Sequence, residues 1–177
     1  MEKVILVDHL DQQIGLMEKM EAHEKALLHR AFSVFIFNDL GEMLLQQRAL
    51  NKYHSGGLWT NTCCSHPRPD ETTADAAYRR LKEEMGFETP LKKIFDFVYK
   101  APFENGLTEY EFDHVFIGYF NETVLPNPTE VANIDFLSFE KIEILMQQET
   151  NYFTSWFLIA FPKIKQWWLQ QKNACNE

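Results

Sequence analysis

The rhythm of apolar and polar positions changes several times along the chain, and each change marks an element. "VILVD" (4–8) is a short apolar run of strand length. "QIGLMEKMEAHEKALL" (13–28) is helical in composition, although Gly15 weakens its start. "AFSVFIF" (31–37) is apolar and β-prone, "NDLGE" (38–42) supplies turn residues and "MLLQQRA" follows, so 31–49 is predicted as a hairpin. The clearest helix is "DETTADAAYRRLKEEMGF" (70–87). Thr72 or Thr73 can cap it, Ala74, Ala76 and Ala77 favour it, and Gly86 sits where a C-terminal stop belongs. "KIFDFVYKA" (93–101) and "EYEFDHVFIGYF" (109–120) alternate as strands joined by a loop containing "ENG". "IDFLSF" (134–139) is a further strand entering the helical "EKIEILMQQ". The segment 152–171 reads as a helix with Pro162 as a kink or break. With no internal repeat or long linker, these elements predict a single α/β or α+β domain.

Composition narrows the function. A chain of 177 residues, 45% hydrophobic and 24% charged, is long enough to bury a substantial core in one domain. No run approaches the roughly 18 apolar residues of a membrane span, and "MEKVILVDHLDQQ" lacks the basic and apolar regions of a signal peptide. Three cysteines, two of them adjacent, make a poor disulfide framework and point to a reducing cytoplasm. A formal net charge of −9 argues against general nucleic-acid binding. It leaves room for a small anionic substrate received by local cations or by a carboxylate-held metal.

"WTNTCCSHPR" (59–68) packs two cysteines and a histidine together, as a metal knot, a disulfide half or a catalytic thiol would. In an extended segment Cys63 and Cys64 face opposite ways, and Cys63 is expected as a small buried hydrophobe. Glu109 and Glu111 lie two apart, so a strand carries both carboxylates on one face, with His114 on the other. In "RRLKEEMGF", Arg79, Arg80, Glu83 and Glu84 fall on neighbouring helical faces, which by itself fits a solvated charged face.

Extended back to position 65, that helix resembles the Nudix box, G-x5-E-x7-R-E-U-x-E-E-x-G-U, with U an apolar residue. Glu71, Arg79, Leu81, Glu83, Glu84, Gly86 and Phe87 match at the proper spacing, while Ser65 replaces the opening Gly and Arg80 replaces a metal-binding Glu. A guanidinium there inverts the charge of the usual hydrolase centre. The whole chain is similar to the type I isopentenyl-diphosphate delta-isomerases, a Nudix branch, through "HEKALLHRAFSVFIF", "QQRALNKYHSGGLWTNTCCSHP", "EYEFDHVF" and "TSWF". The resemblance implies a Nudix-like mixed β-sheet sandwiched between helices, with its core at about 29–160.

It also implies interconversion of isopentenyl and dimethylallyl diphosphate by protonation and deprotonation of the alkene. Cys64 and Glu111 would be the two proton-transfer groups, with Tyr99 assisting Glu111; which of the two donates first stays open. By the same resemblance, His23, His29, His66, Glu109 and Glu111 hold one divalent ion, and three imidazoles with two carboxylates suit Zn²⁺ or Mn²⁺. Glu84 would carry a second ion, Mg²⁺, bridged to the diphosphate. Arg48, Lys52 and Arg80 would bind the diphosphate, and Trp156 would face the cation. A Nudix hydrolase acting on a nucleoside diphosphate derivative and a non-enzymatic metal-binding domain are the rival readings. Product analysis separates isomerisation from hydrolysis.

Overall fold

The computed structural model describes residues 2–52, 54–103 and 105–174. In chain order the elements are β1 (Lys3–Val7), β2 (Gln13–Glu18), α1 (Lys19–Glu24), β3 (His29–Phe37), β4 (Met43–Arg48), β5 (Trp59–Thr60) and β6 (Cys63–Ser65). They continue with α2 (Thr73–Met85), β7 (Lys92–Pro102), β8 (Thr108–Tyr119), β9 (Val131–Leu137), α3 (Phe139–Gln148) and α4 (Ser155–Ala174). The strands form one mixed sheet, in which β3 runs parallel to β8 over its whole length, from His29 opposite Glu111 to Phe37 opposite Tyr119.

β3 is the centre of the molecule. Its continuous apolar run suits a strand buried on both faces. Phe35 and Phe37 join Met43, Leu45, Val115 and Ile117 against α3 and α4, where Phe157, Phe161 and Ile164 are buried. Phe32, Val34 and Ile36 face the other way, onto Ala76, Ala77, Leu81 and Met85 of α2. Burying Leu81 and Met85 fully contributes about 1.5–3 kcal/mol each. The sheet is thus sandwiched between helices, as the resemblance implied. α2 starts where Thr72 accepts a hydrogen bond from the Asp75 amide and ends at Gly86 in the left-handed region. A side chain at Gly86 would also collide with the Leu125 carbonyl at 2.4 Å, so the position admits only glycine without rearrangement.

Two local expectations are corrected. Residues 13–18 are a strand, and only Lys19–Glu24 of the expected 13–28 helix is helical. β1 presents an open row of backbone groups, and β2 pairs with it from Lys3–Glu18 to Val7–Gln13, with Gly15 opposite Leu6. A helix over 13–18 would forfeit those bonds and pay the conformational cost of Gly15. α4 starts at Ser155 rather than 152 and runs unbroken through Pro162. Proline there removes only the bond to the fourth preceding carbonyl, and burial of Phe157, Ala160, Phe161 and Ile164 offsets that loss.

The expected hairpin at 31–49 is present but splayed. β3 and β4 pair directly only at Ile36–Leu44 and Phe37–Met43. Beyond that the segment 59–65 wedges between them, pairing with β4 through β5 and with β3 through β6. The buried side chains of Asn61 and Thr62 replace the missing ladder. The Ile36 amide donates to Thr62 Oγ1 at 3.0 Å, which donates to the Leu44 carbonyl at 2.6 Å; Asn61 Nδ2 donates to the carbonyls of Val34 and Cys63. "TNT" therefore anchors the cysteine pair in the middle of the sheet.

Candidate active site

Strand register assembles the site. Because β3 and β8 are parallel with His29 opposite Glu111, an imidazole and a carboxylate 82 positions apart in sequence become neighbours. β7 places Tyr99 opposite Glu111 on the other side, and β6 places Cys64 opposite Ser33. Cys63, opposite Val34, falls on the α2 side and is fully buried in its apolar cluster, while Cys64 faces the site, as strand alternation predicts. Neither is in a disulfide.

His23, His29, His66 and Glu111 form a tight buried group whose ligand atoms all lie within 4.8 Å of one another. His23 comes from the last turn of α1, His29 from the start of β3 and His66 from just after β6. The chemistry of this group fits a metal ion. His23 and His29 each donate Nδ1–H to a backbone carbonyl, Lys19 at 2.7 Å and Leu27 at 2.8 Å. That leaves each Nε2 as a lone-pair acceptor, and both are buried with no hydrogen-bond partner among the described residues. A buried unpartnered acceptor is costly, and a cation at that point would satisfy both. His66 Nε2 lies 2.9 Å from Glu111 Oε1, and burial pushes its imidazole down to about 4, so the ring is neutral at physiological pH.

Glu109, expected in the same ligand set, lies outside this group. Its carboxylate accepts from Tyr99 Oη at 3.0 Å and sits 3.7 Å from His54 Nε2. Tyr99 also donates to Glu111 at 2.6 Å, so one buried hydroxyl joins both carboxylates. Burial and the neighbouring Glu111 charge hold Glu109 well above the usual carboxylate range. Burial works on Glu111 too, but the hydrogen bond with His66 and the His29 imidazole 3.6 Å away outweigh it and hold Glu111 well below that range. Burial pushes the Cys64 thiol up and prevails over the opposing pull of Arg48, with the nearby glutamates adding to the rise. Cys64 is thereby kept as a protonated thiol, Glu111 as a carboxylate.

Cations gather at one side of the same cavity, which has a volume of about 90 Å³ and is bordered by Arg48, Lys52, Arg80, Cys64, Glu111 and Trp156 among others. Arg80 donates to Glu84 Oε1 at 2.5 Å and reaches Glu83 and Glu130, while Gln46 donates to Glu84 Oε2 at 2.9 Å. Glu130 also pairs with Lys52. The Arg48 guanidinium lies 5.2 Å from the centre of the buried Trp156 ring. Every residue expected at the site except His23 and His29 borders this cavity, and those two complete the histidine group behind it.

Sequence reasoning missed several groups here. Lys19 borders the cavity one helical turn before His23, a spacing that could have flagged it. Gln46 and Glu130 serve as partners for Glu84, Arg80 and Lys52, a role no local pattern announces. Asp113 follows Glu111 on the same face, accepts from Ser33 at 2.8 Å, and is pushed up to about 8 by burial and the Glu111 charge. His54, in a loop without periodicity, is packed between Phe103 and Trp156. Burial and then the Arg48 charge push it down to about 3, so its ring is neutral.

Fold and site together describe a Nudix domain whose acidic box has been recharged. The NUDIX domain family model matches residues 27–157. Solved structures with this fold include a Deinococcus radiodurans protein, with a TM-score of 0.69 and 19% identity over 84% of this chain and 91% of that one. The MutT protein of Methanosarcina mazei gives a TM-score of 0.65 and 22% identity over 78% of this chain and 94% of its own. At those identities the likeness concerns the fold alone. Much closer in sequence are two proteins named isopentenyl-diphosphate Delta-isomerase. That of Burkholderia multivorans is 54% identical over 88% of this chain and 89% of its own length. That of Pectobacterium atrosepticum is 47% identical over 97% and 96%. The chain belongs to the NUDIX family and, within it, to the isopentenyl-diphosphate Delta-isomerases.

Proposed function

We propose that this site interconverts isopentenyl and dimethylallyl diphosphate, with Cys64 as the acid and Glu111 as the base in that direction. The observation that carries the reading is that the Cys64 thiol and the Glu111 carboxylate border one cavity beside the buried Trp156 indole, with burial holding the thiol up and the histidines holding the carboxylate down. An unactivated alkene is a weak base, so its protonation needs a well-placed acid shielded from water. Cys64 gives its proton to the terminal carbon, the π pair forms the new C–H bond, and a tertiary cation results. Glu111 then takes a proton from C2, whose C–H pair becomes the shifted double bond. Tyr99, bonded to both Glu111 and Glu109, is placed to pass the proton onward and restore the resting state. The Trp156 face stabilises the cation by on the order of 2 kcal/mol when desolvated.

Arg48, Lys52 and Arg80 bind the diphosphate. Arg80 donates to Glu84; with a diphosphate bound its guanidinium would turn to the phosphate oxygens, and Glu84 would hold Mg²⁺, which would supply positive charge to the diphosphate. His23, His29, His66 and Glu111, with Glu109 alongside, would hold one Mn²⁺ or Zn²⁺, which would fix Glu111 in position and stabilise its charge. The partner is thus a small-molecule diphosphate. No described helix is long and apolar enough to cross a membrane.

Incubation of the purified protein with isopentenyl diphosphate, with and without chelator, tests the reading. Dimethylallyl diphosphate should form with no release of phosphate, and chelation should stop it. Phosphate or monophosphate products would point instead to a Nudix hydrolase, against which the Arg80 charge at the metal-binding position of the box already counts.

A further inference from the structure

We infer that His54 sets the upper limit on the hydrocarbon this site accepts, closing the alkene end of the cavity so that branched diphosphates longer than five carbons are excluded. The inference rests on the isomerase reading above and adds a specificity-determining residue to it. Beside this cavity lies a second, more open groove of about 500 Å³, lined by Pro102, Phe103, Phe153, Leu158 and polar neighbours. Among the described residues His54 alone borders both spaces. Its side chain is only 6% exposed. Phe103 stacks on the groove-side of this partition at a centroid distance of 4.7 Å and an interplanar angle of 19°. Trp156 meets the ring edge-on at 5.9 Å and 86°.

The His54 side chain, packed against Trp156 of the cavity and Phe103 of the groove, thus stands between the cavity and a partly apolar groove. Chamber volume discriminates most sharply against added methylenes, which have nowhere to go while the ring stays in place. Removing the ring joins the two spaces, and an alkyl extension on C3 can then pass over Phe103. The chemistry is unchanged: the π pair forms the new C–H bond at the terminal carbon, and the pair of the C–H bond broken at C2 becomes the shifted double bond.

The test compares isopentenyl diphosphate with its homologue bearing a propyl group in place of the C3 methyl, in wild type, His54→Ala and His54→Phe. His54→Ala should raise the ratio of kcat/KM for the homologue over the five-carbon substrate by about ten- to hundred-fold. His54→Phe, which refills the partition without a polar atom, should keep the wild-type ratio. An unmoved ratio in His54→Ala overturns the inference, as does a shift in His54→Phe equal to that in His54→Ala. Should the alanine variant not fold, His54→Thr opens the same partition with a smaller loss of packing. Wild-type protein that fails to turn over isopentenyl diphosphate strikes the isomerase reading instead. Calorimetric binding of the saturated five-carbon and propyl-extended diphosphates then reports the partition without turnover, with the same expected change of ratio.

Discussion

Adjacent cysteines on opposite faces of one short strand allow a paired experiment. Cys64→Ser replaces a thiol at the cavity with a hydroxyl of similar shape. A hydroxyl in the same buried place is a far weaker acid than a thiol, so protonation of the alkene loses its donor. General acid catalysis contributes about two to four orders of magnitude, and kcat should fall by that much. Cys64 lies outside the histidine group, and its β6 backbone pairing with Ser33 does not depend on the side chain, so fold and metal content should be kept. Cys63→Ala does the opposite. It removes a fully buried sulfur from the cluster formed with Val34, Ala77 and Leu81. The lost contact and the small cavity should cost about 1–2 kcal/mol. For a chain of this length that lowers Tm by about 2–8 °C, while kcat stays near wild type. Thermal unfolding followed by circular dichroism, metal analysis and a radiolabelled isopentenyl diphosphate assay on the same preparations read both arms. A Cys64→Ser protein within about tenfold of wild-type kcat would refute the assignment of the acid.

Other residues give independent checks. His66→Ala should lower the metal content of purified protein, measured by plasma mass spectrometry, and abolish most turnover; full metal and full rate would remove His66 from the ligand set. Arg48→Ala and Lys52→Ala should each raise KM by about ten- to hundred-fold, the worth of a charge-assisted hydrogen bond, with a smaller fall in kcat because remote binding positions the alkene. Unchanged kinetics in both would move the diphosphate elsewhere. Burial alone would raise the Glu130 carboxyl, but its hydrogen bond to Lys52 and the Arg80 charge prevail and hold it below its ordinary 4.5. Such a group contributes stability above 4.5 that is lost as pH falls through the lower folded value. Denaturant titrations should therefore show wild type losing stability on acidification below about pH 4.5 faster than Glu130→Gln; parallel curves would dismiss the contribution.

Much of the molecule follows from local rules that the chain states directly. α2 appears with its Thr72 cap and Gly86 stop because helix ends are specified by a few residues in sequence. The opposite orientations of Cys63 and Cys64, and of Glu111 and His114, follow from the two-residue period of a strand. The resemblance carried by "WTNTCCSHP" and the altered Nudix box named the family, and the residues it pointed to are ones the fold gathers around one cavity and the histidine group beside it. What only the tertiary structure decided are the long-range pairings. Residues 13–18 became a strand because β1 offered backbone partners, which weak helical propensity could not outweigh. α4 continued through Pro162 because its apolar face is buried against the sheet. The metal-ready group exists because a parallel register sets His29 beside Glu111 and because Lys19 and Leu27 offer carbonyls that orient two imidazoles. Ionisation was decided there as well: a carboxylate and a thiol have ordinary acidities in the unfolded chain, and it takes the folded neighbours to act on them, the histidines driving Glu111 down against its burial and burial driving Cys64 up. His54 left no mark in the sequence, since a loop residue has no period to read and its packing partners, Phe103 and Trp156, come from two distant segments.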